Sequence, residues 1–157
     1  MFRYLFAAGL VLLGTACDGD VSGPDRSAGL ELSATVSSPT LVAGQPDTIT
    51  IALENTTPAV VTLHFDDGCQ ILPFITDADG EIVLPSGGGW GCTAALSARS
   101  LAPHETQQVR FVWTGGMQFA SEMPLAGALP RGVYYIHASL HAAEAELKTA
   151  RAPVELQ

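Results

Sequence analysis

From Leu30 onward apolar and polar residues alternate, the two-residue period of strands that bury one face. Leu30, Leu32, Ala34 and Val36 alternate with mostly polar neighbours. Between Thr48 and Glu54 the pattern sharpens: Ile49, Ile51 and Leu53 fall on one side, Thr48 and Thr50 on the other. Asn55-Thr56-Thr57-Pro58 is turn chemistry, after which Val61, Leu63 and Phe65 resume the alternation. Thr48–Glu54 and Ala59–Phe65 are therefore expected as neighbouring strands joined by a tight connection. Ile71–Thr76 predicts another strand, with Pro73 marking an edge or a bulge. Asp77-Ala78-Asp79-Gly80 is a turn leading into Glu81–Leu84. Pro85–Gly89 is a loop; Trp90–Leu101 is ambiguous in pattern, with one short helical turn over Ala94–Arg99 as one option. Gln107–Trp113, Val133–His141 and Thr149–Leu156 supply further strands, with a long, weakly patterned connection over Gly115–Arg131. Ala142–Lys148 favours helix by propensity but is too short to stand alone, so it reads as a loop or a strand extension. Roughly seven to eight short strands with turn residues between them predict an all-β domain, a single antiparallel immunoglobulin-like β-sandwich.

The front of the chain follows other rules. Arg3 precedes the apolar run Leu5–Leu13, and the small residues Gly14-Thr15-Ala16 follow, so residues 1–16 read as a signal peptide. The run is too short to span a bilayer, which takes ~20 residues. Leu13-Gly14-Thr15-Ala16-Cys17 resembles a bacterial lipobox, with the leucine one place further from the cysteine than is usual. The alternative is an ordinary signal peptide cut near Ala16, with Cys17 incidental. The next segment supports lipidation of Cys17: Asp18–Gly29 is polar and rich in Gly, Ser, Asp and Pro, the composition of a tether that reaches at most ~40 Å. The expected organisation is a signal peptide over 1–16, a lipidated cysteine and flexible tether over 17–29, and one folded domain over 30–157. Such a protein is exported and lipid-anchored to a bacterial membrane, with the leaflet left open.

Export changes the meaning of the three cysteines. With Cys17 carrying lipid, Cys69 and Cys92 remain as a pair in an oxidising compartment, which points to a disulfide. A metal site is the alternative, but neither cysteine has a CxxC partner or a histidine at ligand spacing. The formal charge of −9, with Lys148 as the only lysine, repels phosphate backbones and anionic headgroups, so nucleic acid is not an expected partner.

The residues that carry chemistry do not assemble into a catalytic pattern. There is no Gly-x-Ser-x-Gly elbow. His137 and His141, ~13 Å apart along one strand, are too distant to share a metal ion and are expected as solvent-facing histidines. Asp77, Asp79 and Glu81 lack the spacing of a calcium loop. Asn55-Thr56-Thr57 matches a glycosylation sequon but reads as a turn in a bacterial protein. No cofactor or metal is expected, and the chain is not expected to be an enzyme. The surface candidate is the loop Pro85–Cys92, in which Gly87, Gly88, Gly89 and Trp90 place an aromatic on a flexible backbone. The alternative is that Trp90 folds back over the sandwich edge. Met117, Phe119 and Met123 either join a partner surface or cap the core.

Several short motifs occur in one order. They are Leu53-Glu54-Asn55-Thr56, Leu63-His64-Phe65, Cys69-Gln70-Ile71-Leu72-Pro73-Phe74-Ile75 and Asp77-Ala78-Asp79-Gly80-Glu81-Ile82-Val83. Leu101-Ala102-Pro103-His104-Glu105, Phe111-Val112-Trp113 and Leu129-Pro130-Arg131-Gly132-Val133-Tyr134 follow. Together, from about Leu53 to Leu140, they resemble the intracellular proteinase inhibitor (BsuPI) family. His104 stands where that family's turn has Gly, and Leu84 where it often has Trp. The resemblance implies a β-sandwich and, by the family's name, inhibition of serine proteinases. The partner would be another envelope or extracellular protein, a serine proteinase if the named activity is kept. The alternative function is an immunoglobulin-like structural or assembly module of the envelope with no protease target.

Overall fold

The computed structural model describes residues 25–119 and 127–157. The segments expected as signal peptide and most of the tether, Cys17 and Met123 lie outside the described residues. Among the described residues twelve strands run in chain order: β1 (Asp25–Ser27), β2 (Leu30–Val36), β3 (Thr40–Leu41), β4 (Asp47–Asn55), β5 (Val61–Phe65) and β6 (Ile71–Thr76), then β7 (Ile82–Leu84), β8 (Ser97–Leu101), β9 (Thr106–Trp113), β10 (Gly132–His141), β11 (Glu146–Lys148) and β12 (Ala152–Leu156). Eight of them have five residues or more; the other four are short edge pieces.

One sheet has the order β1-β2-β4-β9. The other has the order β3-β12-β10-β6-β7, with β11 also on β10, and β5 and β8 form a separate two-stranded sheet. All pairings are antiparallel except that of β3 with β12. Taking β2, β4 and β9 as strands A, B and E, and β6, β10 and β12 as C, F and G, gives the A-B-E and C-F-G arrangement of an immunoglobulin-like sandwich. A further mark of that class is present. Tyr134, near the start of β10, donates its hydroxyl to the Pro130 carbonyl at 2.8 Å, the tyrosine corner of such folds.

The core follows from the alternation. Ile49, Ile51 and Leu53 of β4 are buried with Leu30 and Leu32 of β2 on the same sheet. They face Tyr134, Ile136, Ala138 and Leu140 of β10 and Val154 and Leu156 of β12. Trp113 closes one end, its ring edge-on to Tyr134 at 6.1 Å and its indole N–H donating to the Gly116 carbonyl at 2.8 Å. Both polar ends of these large side chains are thereby satisfied, which lets them be buried.

The structure departs from the pattern reading in four places. Residues 25–29, expected in the tether, are built into the sheet: β1 pairs with β2 through a turn at Ala28-Gly29, both with positive φ. A two-residue turn of this hand matches strand twist, and a Cβ on Gly29 would strike the Thr57 side chain. β4 and β5, expected as neighbours, do not pair; β4 lies between β2 and β9, and β5 pairs with β8. The buried Asn55 redirects the chain between them. Its side-chain N–H groups donate to the carbonyls of Ala59 (2.7 Å) and Ala102 (2.9 Å), and its Oδ1 accepts from the Thr57 N–H at 3.0 Å. Ala94–Arg99 is not helical: residues 97–101 are strand, because pairing with β5 outweighs local propensity. His137 is not solvent-facing. It is 8% exposed on the outer face of β10, stacked on Phe74 with ring centroids 5.3 Å apart.

Candidate protein-binding loop

The candidate loop leaves β7 and returns to β8. Pro73 sets its first contact. This residue lies in β6 beyond the last register pair with β7 (Ile75 with Leu84), so β6 is an edge strand there; the register shift with β7 falls between Ile75 and Thr76. The Pro73 carbonyl accepts the Trp90 indole N–H at 3.0 Å. The Trp90 ring also stacks on Phe119, centroids 5.8 Å apart and planes 10° from parallel, and Phe119 in turn meets Phe111 at 5.7 Å. Trp90 thus folds back half-buried over the sandwich edge, satisfying both its polar tip and its apolar face. With Leu84, Pro85, Ser86, Met117, Gln118 and Phe119 it lines an open cleft of about 260 Å³. Gly87, Gly88 and Gly89 form the exposed tip, where an added Cβ would meet open space.

Cys69 and Cys92 are joined in a disulfide, their Cα atoms 5.4 Å apart. Next to it the Gly68 N–H donates to the Thr93 carbonyl at 2.8 Å, and the Asp67 carboxylate accepts from the Cys69 N–H at 2.8 Å. Asp67, Cys69 and Cys92 come together as a metal-ligand set would. Both sulfurs are spent in the disulfide, which leaves one carboxylate and no set of donors for an ion.

Beyond Cys92 the chain runs without regular structure to Leu96, every residue from Gly91 to Leu96 exposed. Leu96 is 82% exposed, more than any other exposed large apolar side chain among the described residues. Sequence reasoning passed over Leu96, since an alanine-rich stretch hides which of its residues will face water. Ser97 then enters β8 opposite Phe65, and its hydroxyl accepts from the Gln70 side-chain amide at 2.9 Å. The β5–β8 pair is itself tied to the second sheet. Glu144, between β10 and β11, accepts from the His64 N–H at 2.8 Å and meets the His64 ring at 2.5 Å. These hydrogen bonds hold the Glu144 carboxyl below its usual range.

In the turn Leu101–Glu105, His104 replaces the Gly of the family pattern without changing the backbone conformation a glycine would take. His104 has φ of 58°, so it adopts the left-handed conformation that glycine would take at this place. The turn is kept, and the histidine carries the strain. Glu105 closes it by accepting from the Ala102 N–H at 2.6 Å.

One other cluster has catalytic residue types. Ser139 Oγ and His141 Nε2 are 3.1 Å apart, and His141 Nδ1 is 3.8 Å from a Glu146 carboxylate oxygen. Ser139 is only 2% exposed, so its hydroxyl has no route to a substrate. The pair is a local side-chain contact on the outer face of β10.

Comparison with known proteins bears on the whole domain. Residues 34–145 match the family model described as BsuPI, intracellular proteinase inhibitor. No curated protein matches the chain. Among solved structures, the chain is similar to the CARDB domain of a Pyrococcus furiosus protein, at 13% identity and TM-score 0.46, covering 87% of this chain and 96% of that one. It is also similar to part of an alkylpurine DNA glycosylase from Pseudomonas fluorescens, at 19% identity and TM-score 0.45, covering 83% of this chain and 31% of that one. A β-glucosidase from Erythrobacter marinus gives 12% identity and TM-score 0.47, with 82% of this chain and 15% of that one covered. The chain therefore spans less than a third of either enzyme. The family match takes in β4 through β10, the disulfide and the whole Pro85–Leu96 loop, and this chain belongs to the BsuPI family of intracellular proteinase inhibitors.

Proposed function

We propose that this chain is a lipid-anchored envelope protein whose β-sandwich binds another protein without catalysis, and that the partner is a serine proteinase which it inhibits. The observation that carries the reading is the segment Gly91–Leu96. It is exposed throughout, held by the disulfide at Cys92 and by β8 at Ser97, and mounted on a domain of an inhibitor family. Binding loops with both ends fixed lose little entropy on docking, which is what separates a tight inhibitor from a flexible substrate. The membrane part rests on the leader over 1–16 and on Cys17, with the acidic domain held off the bilayer by the residues between.

The test is a titration of the full chain, purified in detergent, against a small panel of serine proteinases, with intact mass recorded afterwards. Stoichiometric loss of proteinase activity with the chain uncleaved is the expected result. Simple digestion, or no effect on any enzyme, leaves a binding module of the envelope whose partner is not a protease. Anchoring is tested separately: the wild-type chain should sediment with membranes, and Cys17→Ser should release it.

A further inference from the structure

We propose, resting on that inhibitory reading, that Thr93–Ser97 is a substrate-like loop. In this proposal Leu96 enters the specificity pocket of a serine proteinase that prefers large apolar side chains, and Leu96–Ser97 is the bond presented. The argument starts from the two anchors. On one side, the Thr93 carbonyl accepts from both the Gly68 N–H and the Ala95 N–H at 2.8 Å, beside the Cys69–Cys92 bridge. On the other, Ser97 is fixed by strand pairing to Phe65 and by the Gln70 amide. Only Ala94, Ala95 and Leu96 lie between the anchors.

The form of this short span suits a proteinase cleft. Apart from the three-residue turn closed by the Ala95 N–H on the Thr93 carbonyl it has no regular structure, and no residue from Gly89 to Ala102 has positive φ. Among the described residues, the N–H groups of Ala94 and Leu96 donate to no backbone carbonyl, and the Ala94 carbonyl accepts from no backbone N–H. Those groups are the ones that an enzyme would pair with as an added strand. Two alanines leave the backbone open to approach, and the one large side chain, Leu96, points into solvent at 82% exposure. A single exposed leucine is ordinary on a protein surface. A leucine in a three-residue exposed span fixed at both ends, directly before the strand residue that anchors it, is not. No residue from Thr93 to Ser97 is charged, so the loop fits a pocket for apolar chains and not one built for Lys or Arg.

The anchors also explain why such a loop inhibits. Hydrolysis would add one water across the Leu96–Ser97 amide, leaving a carboxylate on Leu96 and an amine on Ser97. Both new ends would stay in place, one through Thr93 and the bridge and the other through β8. Release of product is then slow, and the reverse reaction is favoured over escape.

The experiment titrates the full chain and two variants against a subtilisin-type, a chymotrypsin-type and a trypsin-type proteinase. Wild type should inhibit an enzyme that favours apolar residues and spare the trypsin-type one. Leu96→Gly should weaken that inhibition on the order of 100-fold, and Leu96→Lys should transfer it to the trypsin-type enzyme. Leu96 is largely exposed, so both variants should unfold near the wild-type midpoint. If wild type inhibits and neither substitution alters strength or preference, the loop assignment is wrong while the inhibitory reading stands. If wild type inhibits none of the enzymes, the inhibitory reading is wrong and the loop assignment falls with it. Fast turnover at Leu96–Ser97 with the enzyme left active also overturns the proposal.

Discussion

The Gly68 N–H donates to the Thr93 carbonyl at 2.8 Å, and a side chain on Gly68 would strike the Thr93 hydroxyl. The close approach of these two residues fixes the start of the exposed loop. Gly68→Ala should push Thr93 away and cost about 1–3 kcal/mol, the usual range for overpacking. Removing the obstacle should recover much of that loss, so Gly68→Ala with Thr93→Ala should be more stable than Gly68→Ala alone. A double-mutant cycle by urea unfolding measures the coupling. Equal losses in the single and double variants would show that Thr93 is not what crowds position 68.

The disulfide beside that contact closes a loop with a sequence separation of 23. On the chain-entropy account it contributes about 3 kcal/mol. Replacing both Cys69 and Cys92 with serine should lower the unfolding midpoint by several degrees. The same change should make the Gly91–Leu96 segment the first site of proteolytic nicking. Mass mapping of limited digests checks both parts of that statement, and a first cut elsewhere would mean that Gly68 and Ser97 hold the loop by themselves.

Much of the sandwich is visible in the pattern because the two-residue period reports which face is buried. Ile49, Ile51 and Leu53 fall on the core face as their spacing predicts. Pairing partners are another matter. Nothing local tells that β5 joins β8 and not β4, because the decision is made by Asn55 bonding to Ala102, a residue far along the chain. The candidate loop shows the same limit. Its cysteines and its glycines announce a pinned, exposed segment, but the destination of Trp90 depends on the Pro73 carbonyl and the Phe119 ring. Leu96 stands out only once Ser97 is known to begin a strand.

Asn55 is fully buried and holds three segments together through its side-chain amide. Asn55→Ala should leave the Ala59 and Ala102 carbonyls without their donor and cost about 3 kcal/mol. Asn55→Asp should cost more, because it replaces the donor by an acceptor and buries a charge. Thermal unfolding of the two variants decides the order. If Asp is tolerated as well as Ala, water reaches this site.

His104 holds a backbone conformation suited to glycine, with φ of 58°. His104→Gly should therefore relieve strain. The gain is about 0.5–1 kcal/mol after allowing for the greater freedom of glycine in the unfolded chain. Its side chain is exposed, so no packing opposes the change. Chemical denaturation provides the measurement, and a loss of stability would mean that the imidazole makes a favourable contact outweighing the strain.

His137 ties stability to pH. Burial, and then the charges of Lys148 and Arg151, lower its pKa from 6.5 to about 4. The folded state thus keeps this ring neutral where the unfolded chain would protonate it. The sign follows: its contribution is fully present above pH 6.5 and is lost as pH falls from there towards 4. The loss is on the order of 3 kcal/mol. His137→Phe keeps an aromatic ring against Phe74 and has nothing to titrate. Denaturant unfolding at neutral pH and near pH 4 should show a smaller acid loss in this variant than in wild type. The remaining loss belongs to carboxylates such as Glu105 and Glu144, whose hydrogen bonds lower their pKa values. Equal acid losses in the two proteins would place the pH dependence wholly on those carboxylates and leave His137 as a packing residue only.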